Sequence, residues 1–220
     1  MQATNDAQIR LVLLPFVRRE HEFPDTFLVE EFALYGGSIR CDIAAFNGVS
    51  HGYEIKSHRD TLVRLPNQVE AYSDVFERAT LVAPPAHVFA AKKIIPEWWG
   101  IIEVKSYSVA EIVLERVRES RPNPAPHGVA IASLLWRPEA LRILSNLGLD
   151  GGLRSKPMEK LIERLAVELP AERLARYVRE ALRARGDWRS AARLRRCDVK
   201  PQPRANRSDC RCIDFGSNGQ

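Results

Sequence analysis

The sequence of 220 residues lacks the features that mark membrane and secreted proteins. It has no apolar run long enough to span a bilayer, so we expect no membrane partner. Its first ten residues, MQATNDAQIR, lack the basic and then apolar pattern of a signal peptide. These absences predict a protein that works in the cytoplasm.

Cysteine is scarce, with four residues in the chain. Cys41 lies in a strand-like segment, and the other three lie in a basic, turn-rich tail. The Cys210-x-Cys212 pair has no second pair and no histidine pair at zinc-binding spacing. We therefore expect free thiols in a reducing compartment rather than a disulfide framework or a zinc site.

What the chain does have is a globular composition with an excess of positive charge. Hydrophobic residues make up 45% of it and charged residues 28%, which is enough apolar surface for a core. The formal net charge is +5. This excess favours an anionic partner such as nucleic acid, although a solvated basic surface would have the same charge.

The first half of the chain alternates between helical and strand patterns. The predicted elements are a helix at 5–20, strands at 26–35, 38–46 and 49–57, a helix at 65–79, a strand at 80–84, a helix at 86–95 and a strand at 98–106. Pro15 should kink or split the first helix. Gly36-Gly37 and Asn47-Gly48 are hairpin signals, so this part of the sheet should be antiparallel.

The second half is predicted to be helical. An amphipathic helix is expected around Ile112, Val113 and Val117, before a proline-rich loop at 121–128. Leucines at helical spacing follow, and apolar periodicity ends near Cys197. The predicted organisation is a main domain at 1–120, a helical region at 129–196 and a disordered basic tail at 197–220.

Two Glu-x-Lys triplets fall in predicted strands, at 54–56 and at 103–105. Alternate residues of a strand share a face, so Glu54 and Lys56 point the same way. A carboxylate can bind a divalent metal, and a neighbouring ammonium can orient water and offset charge on a phosphate. Since Mg²⁺ takes one or two carboxylates, the first triplet needs another acid on its face.

The first hairpin supplies such acids. A two-residue turn at Gly36-Gly37 places Glu31 directly across from Asp42, on the same face of the sheet. Glu30 is the alternative, but strand parity favours Glu31. The triplet at 103–105 has no acid-bearing hairpin partner before it, so we interpret it as an ordinary strand edge.

The second hairpin leaves two possibilities open. A two-residue turn at Asn47-Gly48 puts Glu54 and Asp42 on opposite faces, whereas a three-residue turn at 46–48 puts them on the same face. Gly48 suits the longer turn, which needs a positive φ at its third position. Acids that converge in this way should raise the pKa of at least one of them.

These residues resemble the PD-(D/E)XK nuclease superfamily. That superfamily has the restriction-endonuclease-like fold, with an Asp on one strand and Glu-x-Lys on the next inside an αβββαβ core. The match is Asp42 in RCDIA and the triplet in GYEIKS, with Cys41 in place of the proline. Residues 27–104 also resemble a poorly characterised bacterial family with RxDIA, HGYEIKS and DTLxRLxxQ motifs and a later Tyr.

The resemblance implies an α/β fold with a mixed sheet, a helical C-terminal region and a metal-dependent nuclease site. The implied catalytic residues are Asp42, Glu54, Lys56, Glu31 and Gln68, and the implied metal ligands are Asp42, Glu54 and the carbonyl oxygen of Ile55. The metal would be Mg²⁺, for which Mn²⁺ can substitute. Lys56 would position the attacking water.

The expected activity is hydrolysis of phosphodiester bonds in nucleic acid, with DNA favoured over RNA. The alternative is a non-catalytic nucleic-acid-binding or accessory protein built on the same fold, for example in DNA repair. The arginine-rich run at 179–196 is either a solvated helix face or a nucleic-acid contact. The C-terminal helices are also a candidate docking surface for a protein partner.

Overall fold

The computed structural model describes residues 3–21, 26–108 and 111–185. Its elements are α1 Asp6–Glu20, β1 Phe27–Leu34, β2 Ile39–Phe46, β3 Ser50–Ile55, α2 Leu65–Val75, β4 Arg78–Ala83, α3 Pro85–Ala91, β5 Gly100–Ser108, β6 Glu111–Arg118, α4 Gly128–Ala132, α5 Arg137–Asn146, α6 Met158–Glu168 and α7 Ala171–Ala184. A single 3₁₀ turn, Tyr35–Gly37, joins β1 and β2. The predicted disordered tail lies outside the described residues.

Six strands form one sheet in the order β1-β2-β3-β4-β5-β6. The pairs β1–β2, β2–β3 and β5–β6 are antiparallel, and β3–β4 and β4–β5 are parallel. The order αβββαβ opens the chain, and helices follow the sheet. The predicted α/β fold, with a mixed sheet and a helical C-terminal region, is therefore confirmed.

Helix α1 covers one face of the sheet. Its predicted apolar stripe of Ile9, Leu13 and Val17 is fully buried against β2, β3, β4 and β5. The expected split at Pro15 is wrong, because α1 is one continuous helix, and the expected kink stays a prediction. Pro15 lies on its exposed side, where water can satisfy the carbonyl group that loses its helical donor.

The other face of the sheet packs against the remaining helices. One cluster of buried apolar residues runs from β1 and β2 through α2 and α3 to α7. The loop after β6 joins the two parts, since the Asn123 side-chain amide donates to the carbonyl oxygens of Ser73 and Phe76 at 2.6 and 2.9 Å. The division into domains near residue 120 stays a prediction. None of the described helices could cross a lipid bilayer.

The segment that follows β5 differs from its prediction. Residues 111–118 form strand β6, not a helix, and pair with β5 along its length. Ile112 and Leu114 are partly buried towards α1, whereas Val113 and Val117 are exposed. The spacing of the apolar residues in the sequence fits a helix. In the structure, however, exposed and partly buried side chains alternate along the segment, as in an edge strand with one face covered.

The first hairpin has the predicted register. Phe32 pairs with Cys41, and one step further Glu31 lies across from Asp42. Glu31 has a φ of 55°, a left-handed conformation that is uncommon and strained for a residue other than glycine. The strand is therefore distorted at the residue that faces Asp42.

The second hairpin has a three-residue turn, one residue later than predicted. The turn consists of Asn47, Gly48 and Val49. The Asn47 side chain accepts a hydrogen bond of 3.0 Å from the Val49 backbone N–H, which holds the turn at this position. An odd-numbered turn preserves the predicted parity, so counting on from the Ile43–Tyr53 pair puts Asp42 across from Glu54, one step beyond the paired residues.

Candidate functional site

The first Glu-x-Lys triplet forms a buried ion pair on the α2 side of the sheet. Lys56 Nζ lies 2.6 Å from Glu54 Oε1, and the two side chains are 4% and 1% exposed. Nζ also donates to Gln68 Oε1 of α2, at 2.8 Å. Three of the predicted site residues are thus in direct contact.

Tyr72 connects this ion pair to Asp42. Its hydroxyl group donates to Glu54 Oε2 at 2.6 Å and accepts from the Asp42 backbone N–H at 3.3 Å. The side chain is fully buried, one helical turn after Gln68. Tyr72 is not among the predicted catalytic residues, although its spacing from Gln68 puts both on one face of α2.

Asp42 is contacted by strand β3 and by helix α1. Its Oδ2 accepts from the Ile55 backbone N–H at 2.7 Å, and its Oδ1 lies 3.3 Å from Arg10 Nη2 of α1. Arg10 Nη1 also donates to the Asp42 carbonyl oxygen, at 2.8 Å. Ile55 therefore reaches the site through its N–H, and the ligand role of its carbonyl oxygen stays a prediction.

Glu31 is linked to Asp42 through Arg10. Its Oε1 lies 2.9 Å from Arg10 Nη2, whereas Glu30 Oε2 lies 3.8 Å from Nη1. The distances therefore favour Glu31 over Glu30, as strand parity did. The side chain of Glu31 is 48% exposed, so it lies at the rim of the site and not in its buried centre.

Burial dominates the electrostatics of the two central acids. It raises the pKa of Asp42 to about 7, with repulsion from Glu54 as the second cause. Burial also raises the pKa of Glu54, against the opposing effect of the Lys56 ammonium. Both shifts have the expected direction, but desolvation contributes more than the repulsion between carboxylates on which the expectation was based.

Gly52 lets α2 approach β3 closely enough to build the site. A Cβ atom at this position would lie 2.7 Å from Phe76 Cδ2 and 2.9 Å from Tyr72 Cδ1, inside both rings' contact distance. The aromatic rings of α2 therefore pack directly on the strand backbone. This close packing brings the Tyr72 hydroxyl group within reach of Glu54.

The loop after Lys56 is held by its own polar residues. Asp60 Oδ2 accepts from the Ser57 N–H at 2.8 Å and from the Ser57 hydroxyl at 2.6 Å. His87 Nε2 of α3 lies 3.1 Å from the Ser57 carbonyl oxygen. The Lys56 N–H donates to the Val82 carbonyl oxygen at 2.8 Å, which continues the sheet. These contacts hold the backbone that carries Lys56.

Asp42 and Glu54 form a donor set that fits Mg²⁺. Among the residues that the structure describes, no group of three or more His, Cys, Asp and Glu side chains is arranged to hold a metal. Mg²⁺ in proteins takes one or two carboxylates and completes its shell with water and phosphate oxygens. Two carboxylates that lie close enough for Glu54 to raise the pKa of Asp42 by repulsion meet this requirement.

Comparison with known proteins identifies the family. A family model described as Bacteriophage P4 protein cII matches residues 1–206. The chain belongs to this cII family. One member, Protein cII of Enterobacteria phage P4, is 21% identical over 180 residues, which are 82% of this chain and 67% of that protein.

The chain is also similar to a solved structure of a protein of unknown function from Silicibacter pomeroyi. It is 18% identical and the match covers 64% of this chain and 89% of that one, with a TM-score of 0.36. A TM-score this low does not establish a shared fold.

Two arginines of the arginine-rich run at 179–196 form ion pairs with acidic residues of the same chain. Arg179 of α7 forms an ion pair with Glu77, which also accepts from Ser50 at the start of β3. Arg185 donates to Glu139 through Nε at 2.6 Å, and its side chain is 2% exposed. These two side chains therefore join α7 to the rest of the protein. Residues 186–196 of the run lie outside the described residues.

Proposed function

We propose that this chain is a metal-dependent nuclease of the PD-(D/E)XK superfamily, with DNA as a more favoured substrate than RNA. The observation that supports this most is the contact network of Asp42, Glu54 and Lys56, joined by Tyr72 and Gln68. These residue types lie on adjacent strands of an αβββαβ core, which is where the resemblance to the superfamily puts them.

In this proposal Asp42 and Glu54 would hold Mg²⁺. Bound Mg²⁺ would polarise a non-bridging phosphate oxygen and lower the pKa of a bound water molecule. Lys56 orients the attacking water and balances the negative charge that develops on the phosphate. An ammonium group has three N–H donors, and its contacts with Glu54 and Gln68 use two of them.

Tyr72 and Gln68 position these groups. The Tyr72 hydroxyl group fixes one oxygen of Glu54, so that the carboxylate cannot rotate away from Lys56. Gln68 fixes Lys56 from the other side. A site held on strands and on a packed helix keeps its geometry better than one held on a mobile loop, and such preorganisation is what catalysis requires.

A second candidate function is a nucleic-acid-binding or accessory protein without turnover. Glu54 and Lys56 neutralise each other and are almost inaccessible to solvent, so the pair can also be a structural ion pair. In either case we infer that nucleic acid is the partner and that the C-terminal helices are available to dock another protein. We also infer action in the cytoplasm, where reducing conditions suit the free thiol of Cys41.

The test is cleavage by the full chain of single-stranded, double-stranded and branched DNA, and of RNA, in Mg²⁺ or Mn²⁺. EDTA should abolish cleavage. The variants Asp42→Asn and Glu54→Gln should lose it by about 100-fold or more, because each removes a metal ligand. Glu103→Gln is the matched control, since it makes the same change in the second triplet, and it should cleave like the wild type.

Binding of DNA, measured over a range of salt concentrations without metal, separates the two candidate functions. The Asp42→Asn and Glu54→Gln proteins should bind with nearly wild-type affinity, because phosphate contacts come from basic residues elsewhere. Equal cleavage by wild type and Glu54→Gln would contradict the nuclease proposal. Salt-dependent binding without any cleavage would favour the accessory role.

A further inference from the structure

Arg10 gathers acidic side chains from α1, β1 and β2 around one guanidinium group. Its Nε lies 3.3 Å from Asp6 Oδ2, and its Nη2 lies 2.9 Å from Glu31 Oε1 and 3.3 Å from Asp42 Oδ1. Glu30 Oε2 is 3.8 Å from Nη1. The Arg10 side chain is 15% exposed, so this charge is largely shielded from solvent.

The two oxygens of Asp42 have different partners. Oδ2 accepts the 2.7 Å hydrogen bond from the Ile55 backbone, which belongs to the sheet and does not carry a formal charge. Oδ1 faces Arg10 at 3.3 Å, a longer contact. The oxygen that a cation can reach without breaking the sheet contact is therefore the one that Arg10 covers.

Arg10 can leave this oxygen and remain paired. Asp6 lies four residues before it on the same helix, and Glu31 makes its closest carboxylate contact. Both are about half exposed, so both can follow a small movement of the guanidinium group. Glu31, whose backbone is left-handed, gives the arginine a second anchor at the rim.

We propose that Arg10 sets the metal affinity of the site by covering Asp42 Oδ1 until a divalent cation displaces it onto Asp6 and Glu31. The inference rests on the metal centre of the proposed function. A positive charge beside a ligand oxygen weakens binding of a second cation there, and the effect is strong where solvent screening is weak. In the metal-free protein the same arginine keeps a buried carboxylate paired.

The experiment is a calorimetric titration of the full chain with MnCl₂ in the absence of nucleic acid. Arg10→Gln should lower the Kd for Mn²⁺ by about tenfold, because the competing charge is removed while a hydrogen-bonding group remains. Arg10→Lys should change it by less than about threefold, since the charge is kept.

Arg40→Gln is the matched control. Arg40 contacts Glu31 at 3.8 Å and is 66% exposed, so its loss should change the Kd by less than about twofold. Mn²⁺ binding by Arg10→Gln that is equal to or weaker than that of the wild type would overturn the inference, and it would leave the nuclease proposal intact.

A second measurement does not depend on the stability of Arg10→Gln. The side-chain Nε resonance of Arg10, assigned with Arg10→Lys, should shift saturably when the wild type is titrated with Mg²⁺. An unchanged resonance at saturating Mg²⁺ contradicts displacement. Absence of Mn²⁺ binding in wild type and variants overturns both the inference and the metal centre. Tightened binding in Arg10→Gln without any cleavage supports the inference and refutes only the nuclease.

Discussion

The two Glu-x-Lys triplets have the same sequence pattern but lie in two different environments. At the end of β3, Glu54 and Lys56 lie 2.6 Å apart and are 1% and 4% exposed. In β5, Glu103 and Lys105 lie 3.9 Å apart and are 18% and 30% exposed. Both triplets alternate correctly along a strand, so the residue spacing alone does not distinguish them.

The neighbours of each triplet account for the difference. The β3 triplet is covered by α2, which supplies Tyr72 and Gln68, and Asp42 lies across from it. The β5 triplet pairs with edge strand β6, where Glu115 lies opposite Glu103 and forms an ion pair with Lys105. The first triplet is therefore a buried acid–lysine pair surrounded by other site residues, and the second is part of a row of charged side chains at the edge of the sheet.

The largest expected effect is on cleavage by the two lysine variants. Lys56→Met should reduce the rate by about 100- to 1,000-fold, because it removes the group that orients water and balances charge. Lys105→Met should stay within about twofold of the wild type, since Lys105 belongs to a surface ladder. Single-turnover cleavage at saturating Mg²⁺ measures both. Equal losses in the two variants would remove the functional distinction between the triplets.

Thermodynamic stability should separate the triplets next. Glu54→Ala leaves Lys56 as an unpaired buried charge and should lower the free energy of unfolding by about 3–5 kcal/mol. Glu103→Ala should cost about 0–1 kcal/mol, because Lys105 keeps Glu115 as a partner. Urea denaturation at neutral pH gives both values. A small cost for Glu54→Ala would mean that water enters the site.

Asp42 should make the stability of the metal-free protein fall as pH rises. The folded state keeps the Asp42 proton up to a pKa of about 7, whereas the unfolded chain loses it near 3.8. Between these values the folded state binds more protons, so a rise in pH destabilises it. Relative to Asp42→Asn, the wild type should lose about 1–4 kcal/mol between pH 4 and pH 8.

The comparison with Asp42→Asn is needed because other groups act in the opposite direction. Burial lowers the pKa of His21 and His51, so these histidines destabilise the folded state as pH falls below their ordinary value. Their contribution is the same in wild type and variant and cancels in the difference. Urea denaturation in EDTA at several pH values measures the difference in the free energy of unfolding between wild type and Asp42→Asn. If this free energy changes with pH in the same way in both proteins, the assignment to Asp42 is wrong.

The smallest expected effect is that of Tyr72→Phe. This variant removes the tyrosine hydrogen bond that Glu54 has and that Glu103 lacks among the described residues. The variant loses the hydroxyl donor of a 2.6 Å bond to a buried carboxylate, at a cost of about 1.5–3 kcal/mol in the free energy of unfolding. Tyr177→Phe is the control, because the Tyr177 ring of α7 is partly buried beside Arg173 and Arg176, and it should cost less than about 0.5 kcal/mol. A Tyr72→Phe protein as stable as the control would show that Tyr72 does not hold Glu54.

Local patterns predicted most of the elements and much of the candidate site. The stripe on α1, the two hairpins and the parity of Asp42 with Glu54 depend on neighbours close in sequence, where periodicity and turn chemistry act. Two predictions failed because long-range pairing decides them. Residues 111–118 are a strand because β5 offers an edge, and α1 continues through Pro15 because the sheet packs against its apolar stripe.

The side chains that can carry chemistry, and the strand positions that share a sheet face, follow from the order of residues, because alternation and turn length are local properties. The surroundings of these side chains depend on tertiary packing. Arg10 is 32 residues away from Asp42, and Tyr72 is 18 away from Glu54. Arg179 is 102 residues away from Glu77, the acid that makes it structural. Such contacts arise from the packing of helices on a sheet, which local spacing does not encode.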